Sequence, residues 1–574
     1  MKFLKLIFKS IFKFILFVIR EIVSFFIKFI LLFIILSGIV AVILKQSTEH
    51  VTKIHPNSYV KIDLSRNYNE YAEDIPEYLG GSEGSFYSLL EKLNHIKKDP
   101  NIDGLFIKLD NISIDNAQIE ELAKKISELE EDGMNVIAYA NNYDNRNYKL
   151  AVSSDATIYM PDTVTAGSDI TGYYSELAYY KGLADKLGVD FNVIHVGDYK
   201  AFGENYTKKE MSKEFRANIT ELKDSVYDNF VQKVSEKRKI PLAKFENDLL
   251  NGEFVAGNSS TLYKCGLIDY KVNESEILDE LGEDRIIDID DYTVKHERRN
   301  GDKIAIIYLD GEIHMDDSES SDYMDGITPG KVFKQIDAAL KDKQVKGIVL
   351  RINSPGGSAL ASNLINTKLK SIEDKKPIYV SIGGVAASGG YYIASAGDKI
   401  FADKESVTGS IGVVSIIPNF RKLLGKADIN ISTVKKGKYS DLYSLTQNFT
   451  NEDRKKIYES SLEVYDEFLD IVAKSRHRTK EYINSIGEGR VWLGEKGKKI
   501  GLVDEIGGIE ETIDALSKKL QLTKYDVVEI KDKPRLDMII KRKVPFLKLY
   551  FKAETLINDR DFLFKPIYYF PYEI

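Results

Sequence analysis

The chain has 574 residues, 43% of them apolar and 29% charged, with a formal net charge of −8, which is ample material for two cores of about 200 residues each. The acidic balance argues against nucleic acid as a partner, and a single cysteine, Cys265, excludes an intramolecular disulfide framework. No phosphate-binding Gly-x-x-x-x-Gly-Lys-Ser/Thr loop, CxxC, HExxH or calcium-loop pattern occurs, so no nucleotide, metal or other cofactor is expected.

From Ile22 to Leu44 only Ser24, Lys28, Ser37 and Gly38 interrupt an apolar run, enough at about 1.5 Å rise per residue to cross about 30 Å of hydrocarbon. One transmembrane helix is expected over 22–44. Lys2, Lys5, Lys9, Lys13 and Arg20 precede it and a long acidic remainder follows. The positive-inside rule therefore makes 1–21 a basic cytoplasmic segment, with the rest on the outer face of the cytoplasmic (inner) membrane. A cleaved signal peptide is the rival reading; the long, itself apolar stretch before Arg20 and the lack of a small-x-small site after Leu44 favour a retained single-pass anchor.

Beyond a linker at 45–57 the chain repeats itself. Asp103-Gly-Leu-Phe-Ile-Lys-Leu109 parallels Lys346-Gly-Ile-Val-Leu-Arg-Ile352, and Tyr148-Lys-Leu-Ala-Val-Ser-Ser-Asp155 parallels Tyr391-Tyr-Ile-Ala-Ser-Ala-Gly-Asp398, each pair 243 residues apart. Gly197-Asp-Tyr-Lys200 likewise resembles Gly437-Lys-Tyr-Ser440, so the second copy has serine where the first has lysine. Cys265, in a Gly-Leu-Ile-Asp context that recurs at Gly501-Leu-Val-Asp504, reads as a packing residue. The boundary between repeats falls in the charged segment Leu281 to Asp302, after which Asp302 to Ile313 restarts a strand. The resulting division is a first repeat at 58–285, a linker at 286–302, a second repeat at 303–530 and a basic, aromatic tail at 531–574.

The second repeat carries two glycine-rich turns. Lys346–Ile352 reads as a strand running into Asn353-Ser-Pro-Gly-Gly-Ser358 and a helix over Ala359–Ser371. Pro377–Ile382 reads as a buried strand running into Gly383-Gly-Val-Ala-Ala-Ser-Gly-Gly-Tyr-Tyr392, with a helix over Ser388–Gly397. Ser388 is thereby a candidate nucleophile at a helix start, or simply a helix-capping serine. Backbone N–H groups of Gly356, Gly357 and Gly389 are candidate donors to the oxyanion of an acyl-transfer intermediate, since glycine lets the backbone approach a substrate unobstructed. In the first repeat Ser388 corresponds to Asn145, and Ser354–Gly357 to Asn111-Ile-Ser-Ile114, so that half has neither nucleophile nor donors. None of the seven histidines lies in a glycine turn.

The order and spacing of Ser354-Pro-Gly-Gly-Ser358, Ala386-Ala-Ser-Gly-Gly-Tyr-Tyr392 and Thr408-Gly-Ser-Ile-Gly-Val413 resemble the signal peptide peptidase A family in its long, tandem-repeat form. The resemblance covers roughly residues 50–530. It implies an α/β protein, a tandem duplication of the crotonase/Clp-protease-like ββα spiral domain behind one N-terminal transmembrane helix. It implies a membrane-bound serine endopeptidase with a Ser/Lys dyad that degrades cleaved signal peptides and similar apolar peptides, assembled as a ring-like homo-oligomer, a tetramer. In that family the base comes from the first half after a Gly-x-Tyr, here Lys200, and a hydroxyl matching Ser410 orients it. Lys200 is otherwise a solvated surface lysine and Ser410 a turn serine. A free ammonium, at about 10.4, is too weakly acidic to leave a base at neutral pH, so the role demands burial at the junction of the halves. Two other readings remain: a catalytically idle membrane scaffold or stress-response regulator, and a Ser388/His195 pair.

Lys541-Arg-Lys543 and the aromatic run Phe562–Tyr572 in the tail fit a membrane-interface segment, a contact with a neighbouring subunit, or an arm packed on its own domain.

Overall fold

Runs such as Val345-Lys-Gly-Ile-Val-Leu-Arg-Ile-Asn-Ser354, apolar on both faces, suit the interior strands of a parallel sheet covered on both sides. The computed structural model builds two such sheets. It describes Lys28, residues 54–72, 84–294, 301–315 and 326–531, and the backbone of 567–569. The chain divides into two compact units, one of residues 1–54 with 75–82, the other of residues 55–74 with 83–574; everything below concerns the second. Apart from Lys28, the transmembrane helix expected over 22–44, the basic segment before it and most of the tail lie outside the described residues. No helix among the described residues is long and apolar enough to cross a membrane.

The first half contributes β1 (Ser58–Asp63), α1 (Phe86–Ile96), β2 (Ile102–Lys108), α2 (Asn116–Glu131), β3 (Asn135–Tyr139), α3 (Asn145–Ser153), β4 (Thr157–Met160), α4 (Lys181–Leu187), β5 (Asp190–Val196), α5 (Lys213–Arg238), β6 (Tyr270–Lys271) and β7 (Ile286–Asp288). Its sheet has the order β7-β1-β2-β3-β4-β6 and is parallel throughout. β7 takes the sheet to Asp288, past residue 285.

The second half contributes β8 (Asp302–Asp310), β9 (Val345–Ser354), β10 (Gly356–Ser358), α6 (Ala359–Lys370), β11 (Ile378–Ala387), α7 (Gly389–Ala394), β12 (Lys399–Ala402), β13 (Val407–Gly409), β14 (Val413–Asn419), α8 (Arg421–Lys426), α9 (Asn451–Ser475), β15 (Val491–Leu493), β16 (Glu505–Ile506) and β17 (Tyr525–Glu529). The run β17-β8-β9-β11-β12-β16 repeats the first sheet's order, and β13 and β15 extend it from the far end of β11. The duplication reaches individual hydrogen bonds. Tyr148 Oη donates to the Leu267 carbonyl and Tyr391 Oη to that of Leu502, both at 2.8 Å. Asp269 and Asp504 each accept a backbone N–H, of Ile158 and Ile400, and each binds an arginine, Arg238 and Arg476. Cys265, at the end of a short helix, is half-buried.

One boundary differs from the sequence reading. β11 continues through Gly383 and Gly384 to Ala387, where a turn was expected, and α7 ends at Ala394. These glycines make room: a Cβ on Gly383 would stand 2.9 Å from Glu70 Oε1, and one on Gly384 2.5 Å from Asp115 Oδ2. Both acids come from the first half. With Glu121 they surround Arg351 of β9, whose guanidinium holds Glu70 at 2.7 and 2.8 Å and Glu121 at 2.6 Å in the buried seam between the sheets.

A small antiparallel sheet closes the arrangement, in the order β10-β18-β14-β5, with β18 being Ile567–Tyr569 of the tail.

Candidate active site

Ser388 is the single residue between β11 and α7. Its N–H donates to the Gly409 carbonyl at 2.8 Å, its carbonyl accepts from Tyr392 N–H at 2.8 Å, and it is wholly buried. At φ 55° and ψ −114° it occupies a conformation that side chains other than glycine rarely adopt, held by the packed strand and helix on either side.

Lys200 arrives from the first half. β5 pairs along its whole length with β14, from Val196 opposite Val413 to Asp190 opposite Asn419, and a turn at Gly197 (φ 105°) then directs Lys200 inward. Its Nζ lies 2.6 Å from Ser388 Oγ, 2.9 Å from Ser410 Oγ and 3.1 Å from the Ser410 carbonyl. The side chain is 3% exposed, and desolvation alone holds its pKa well below the ordinary lysine value. A neutral amine there donates two N–H groups to Ser410 and keeps its lone pair for the Ser388 hydroxyl proton. Ser410, itself at φ 52°, is fixed by its N–H donating to the Arg490 carbonyl at 2.8 Å.

The loop Gly487-Glu-Gly-Arg490 is absent from the sequence reading and packs directly on the lysine. Tyr199 N–H donates to the Glu488 carbonyl at 2.9 Å, and a Cβ on Gly489, at φ +84°, would stand 2.5 Å from the Lys200 backbone. Its signal in the sequence is a pair of glycines around one acid.

Two of the three donor candidates, Gly356 and Gly389, adjoin beside Ser388. Gly356 Cα lies 3.3 Å from where a Gly389 Cβ would be, so the two glycine turns adjoin. As the first residue of α7, Gly389 has no intrahelical acceptor for its N–H. Gly356 N–H donates to Ser354 Oγ at 3.2 Å. Gly357, at φ +151°, is pressed so close to Ile313 that a Cβ would stand 2.1 Å from its carbonyl oxygen. β18 runs alongside, with Tyr569 opposite Gly356 and Tyr568 opposite Gly357, and packs against α7. His195 stands apart: it is exposed on β5, with Nδ1 3.1 Å from the Gly197 carbonyl. Asn145, in Ser388's place in the first half, is used structurally, donating to the Gly172 carbonyl and accepting from Thr171 N–H.

Residues 128–287 and 370–523 match Peptidase family S49. The chain belongs to that family. Residues 320–406, which hold both glycine turns, also match the Clp protease family. Among curated relatives of this S49 peptidase, Protease 4 of Haemophilus influenzae is 32% identical over 75% of this chain and 72% of its own length. Protease 4 of Salmonella typhi is 30% identical over 80% of this chain and 76% of its own. A chloroplastic protein of Arabidopsis thaliana named serine protease SPPA is 28% identical over 74% of this chain and 64% of its own. The two S49 segments correspond to the two halves of the fold.

Proposed function

We propose that this S49 peptidase is a serine endopeptidase working through a Ser388/Lys200 dyad, carried by one observation: a buried amine 2.6 Å from a buried hydroxyl, with no carboxylate beside it among the described residues to keep it charged. Ser388 Oγ attacks the scissile carbonyl carbon while its proton passes to the lone pair of Lys200 Nζ. The oxyanion of the tetrahedral intermediate is held by backbone N–H groups at Gly356, Gly357 and Gly389. On collapse, the C–N bond breaks and the Lys200 ammonium gives its proton to the departing amine. A water, deprotonated by Lys200, then attacks the acyl carbon, and as the ester bond to Ser388 Oγ breaks the Lys200 ammonium returns the proton to that oxygen. Ser410 holds the amine on line through the two hydrogen bonds it accepts.

The substrates proposed are cleaved signal peptides and similar apolar peptides, bound extended. The names of the curated relatives support proteolysis, and the small sheet beside Ser388, which here holds a strand of the tail, supports an extended backbone. The apolar run 22–44 supports a single-pass anchor with residues 1–21 in the cytoplasm and the site outside. A homo-oligomeric ring, a tetramer, is part of the same reading. The test is hydrolysis of an apolar peptide by the full chain against Ser388→Ala, with fluorophosphonate labelling in parallel. Loss of both in the variant is expected. Activity within about tenfold of the parent would remove Ser388 as nucleophile, and an unlabelled, inactive parent would leave the idle-scaffold reading.

A further inference from the structure

The loop Gly487-Glu-Gly-Arg490 holds Lys200 and Ser410 at once. The Glu488 carbonyl accepts Tyr199 N–H at 2.9 Å and so fixes the backbone entering Lys200, while the Arg490 carbonyl accepts Ser410 N–H at 2.8 Å and Gly489 N–H donates to the Ile411 carbonyl at 2.7 Å. A Cβ on Gly412 would stand 2.9 Å from Gly489 Cα and 3.1 Å from Lys200 Cδ, so the loop and the lysine side chain meet across that glycine.

Within the loop Glu488 is left-handed at φ 54°, a conformation that persists in a residue with a side chain only where its surroundings enforce it. Tyr465 of α9 enforces it. Its Oη accepts Glu488 N–H at 3.1 Å and donates to Asn484 Oδ1 at 2.8 Å. The ring is buried in the core of the second half, a place phenylalanine fills equally well, so both hydrogen bonds of the hydroxyl go to the loop and its approach. Burial pushes that phenol up to about 12, which keeps it protonated and able to donate one bond while accepting the other.

The first repeat supplies the comparison. Tyr227-Asp-Asn-Phe230 of α5 stands for Tyr465-Asp-Glu-Phe468 of α9, and Gly252-Glu-Phe-Val255 for Gly487-Glu-Gly-Arg490. Buried Phe254 fills the place of Gly489 there, and the Tyr227 hydroxyl, though buried, bonds to no atom of the described residues. The copy that uses its hydroxyl is the one whose loop bears on the dyad.

We infer that Tyr465 is a positioning residue for the proposed dyad, its phenol holding Glu488 and, through that loop, the placement of Lys200 between Ser388 and Ser410. The inference rests on the Ser388/Lys200 reading above. Without the hydroxyl, Glu488 N–H and Asn484 Oδ1 lose their shared partner, Glu488 leaves its left-handed conformation, and the loop draws back from the amine. Water then reaches Nζ and favours the ammonium. The titratable groups around this point are Asp198 and Tyr199 on the lysine's own turn, Glu488 and Arg490 on the loop, Glu221 of α5, which pairs with Arg490, and Tyr465 itself. None of them moves Lys200, whose depression comes from burial alone.

The test measures kcat and KM for an apolar peptide, and the pH dependence of fluorophosphonate labelling of Ser388, on the full chain in detergent. In Tyr465→Phe kcat is expected to fall about 10- to 100-fold with KM within about twofold of the parent. The midpoint of its labelling curve is expected to move up by about one pH unit or more, towards the ordinary lysine value of about 10.4, a shift that lost stability alone does not produce. Asn484→Ala, which leaves the ring in place, is expected to change both in the same direction by less, and carries the test if Tyr465→Phe does not fold. Tyr227→Phe, the same change where the hydroxyl is unused, is expected to keep the parent's kcat and midpoint. Parental kcat and midpoint in folded Tyr465→Phe, or in Asn484→Ala where the first does not fold, would overturn the inference, as would an equal shift in Tyr227→Phe. Lys200→Ala labelling like the parent would overturn the dyad and this inference with it; a curve that vanishes in Lys200→Ala but stays in place in Tyr465→Phe overturns this inference alone.

Discussion

Replacing Arg351 with Met removes the cation shared by Glu70 and Glu121 in the buried seam between the two sheets while keeping the bulk of the side chain. Arg351 makes three short charge-assisted bonds, two to Glu70 and one to Glu121, and also donates to Ser381 Oγ at 2.9 Å. Asp115 and Asp310 lie in the same seam, their carboxyls pushed up to about 6, chiefly by burial and next by the charge of Glu70, and burial raises Glu121 as well. Deleting one partner of a buried ion pair costs about 3–5 kcal/mol because the other charge is stranded, a large part of the roughly 5–15 kcal/mol that holds a domain folded. The sign with pH follows from proton binding. Carboxyls raised in the folded state bind more protons folded than unfolded between their unfolded and folded pKa values, so they weaken folding as pH rises through about 4 to 7. Without Arg351 they rise further, and the variant's deficit is largest at pH 8 and shrinks towards pH 5. Urea unfolding of parent and variant at pH 5, 6.5 and 8, followed by near-ultraviolet circular dichroism, measures this. A deficit below about 1 kcal/mol at pH 8, or one equal at pH 5 and pH 8, would refute the reasoning.

Two further outcomes follow from the site. Gly489→Ala forces a Cβ against the Lys200 backbone at a positive φ, so kcat for peptide hydrolysis is expected to fall about 100-fold through a misplacement of roughly 1 Å and folding stability to drop by about 1–3 kcal/mol; full activity in the folded variant would show that the loop does not position the lysine. Deleting residues 562–574 removes β18 from the edge of β10 beside Ser388, so KM for an apolar peptide is expected to drop several-fold with kcat unchanged, and an unchanged KM would show that this strand does not compete with substrate.

Much of this arrangement is legible in the sequence because it rests on local signals. The 243-residue spacing, read on strands such as 103–109 and 346–352, gives the duplicated sheet, and the glycine turns single out Ser388, Gly356, Gly357 and Gly389. Lys200 is nameable only by setting the repeats side by side and by resemblance, since nothing in its immediate neighbours announces burial. Three features are not legible. Gly383 and Gly384 read as a turn yet are extended, because what they accommodate, Glu70 and Asp115, comes from the other half of the chain. The Arg351 seam joins residues 281 and 230 positions apart, with Glu70 in a stretch of no periodicity; the one hint is a charge set inside the apolar strand Ile348-Val-Leu-Arg-Ile352. The pairing of β18 with β10 is equally non-local, fixed by backbone geometry that an aromatic run does not encode.

The measurement that bears most directly on the dyad is the rate of fluorophosphonate labelling of Ser388 as a function of pH in the full chain, Lys200→Ala and His195→Ala. Only the neutral amine accepts the serine proton, so labelling of the parent is expected to rise with pH through one ionisation lying below the ordinary lysine value of about 10.4. His195→Ala should follow the same curve and Lys200→Ala should lose it. A Lys200→Ala chain that labels like the parent, or a His195→Ala chain that does not label, would contradict the account.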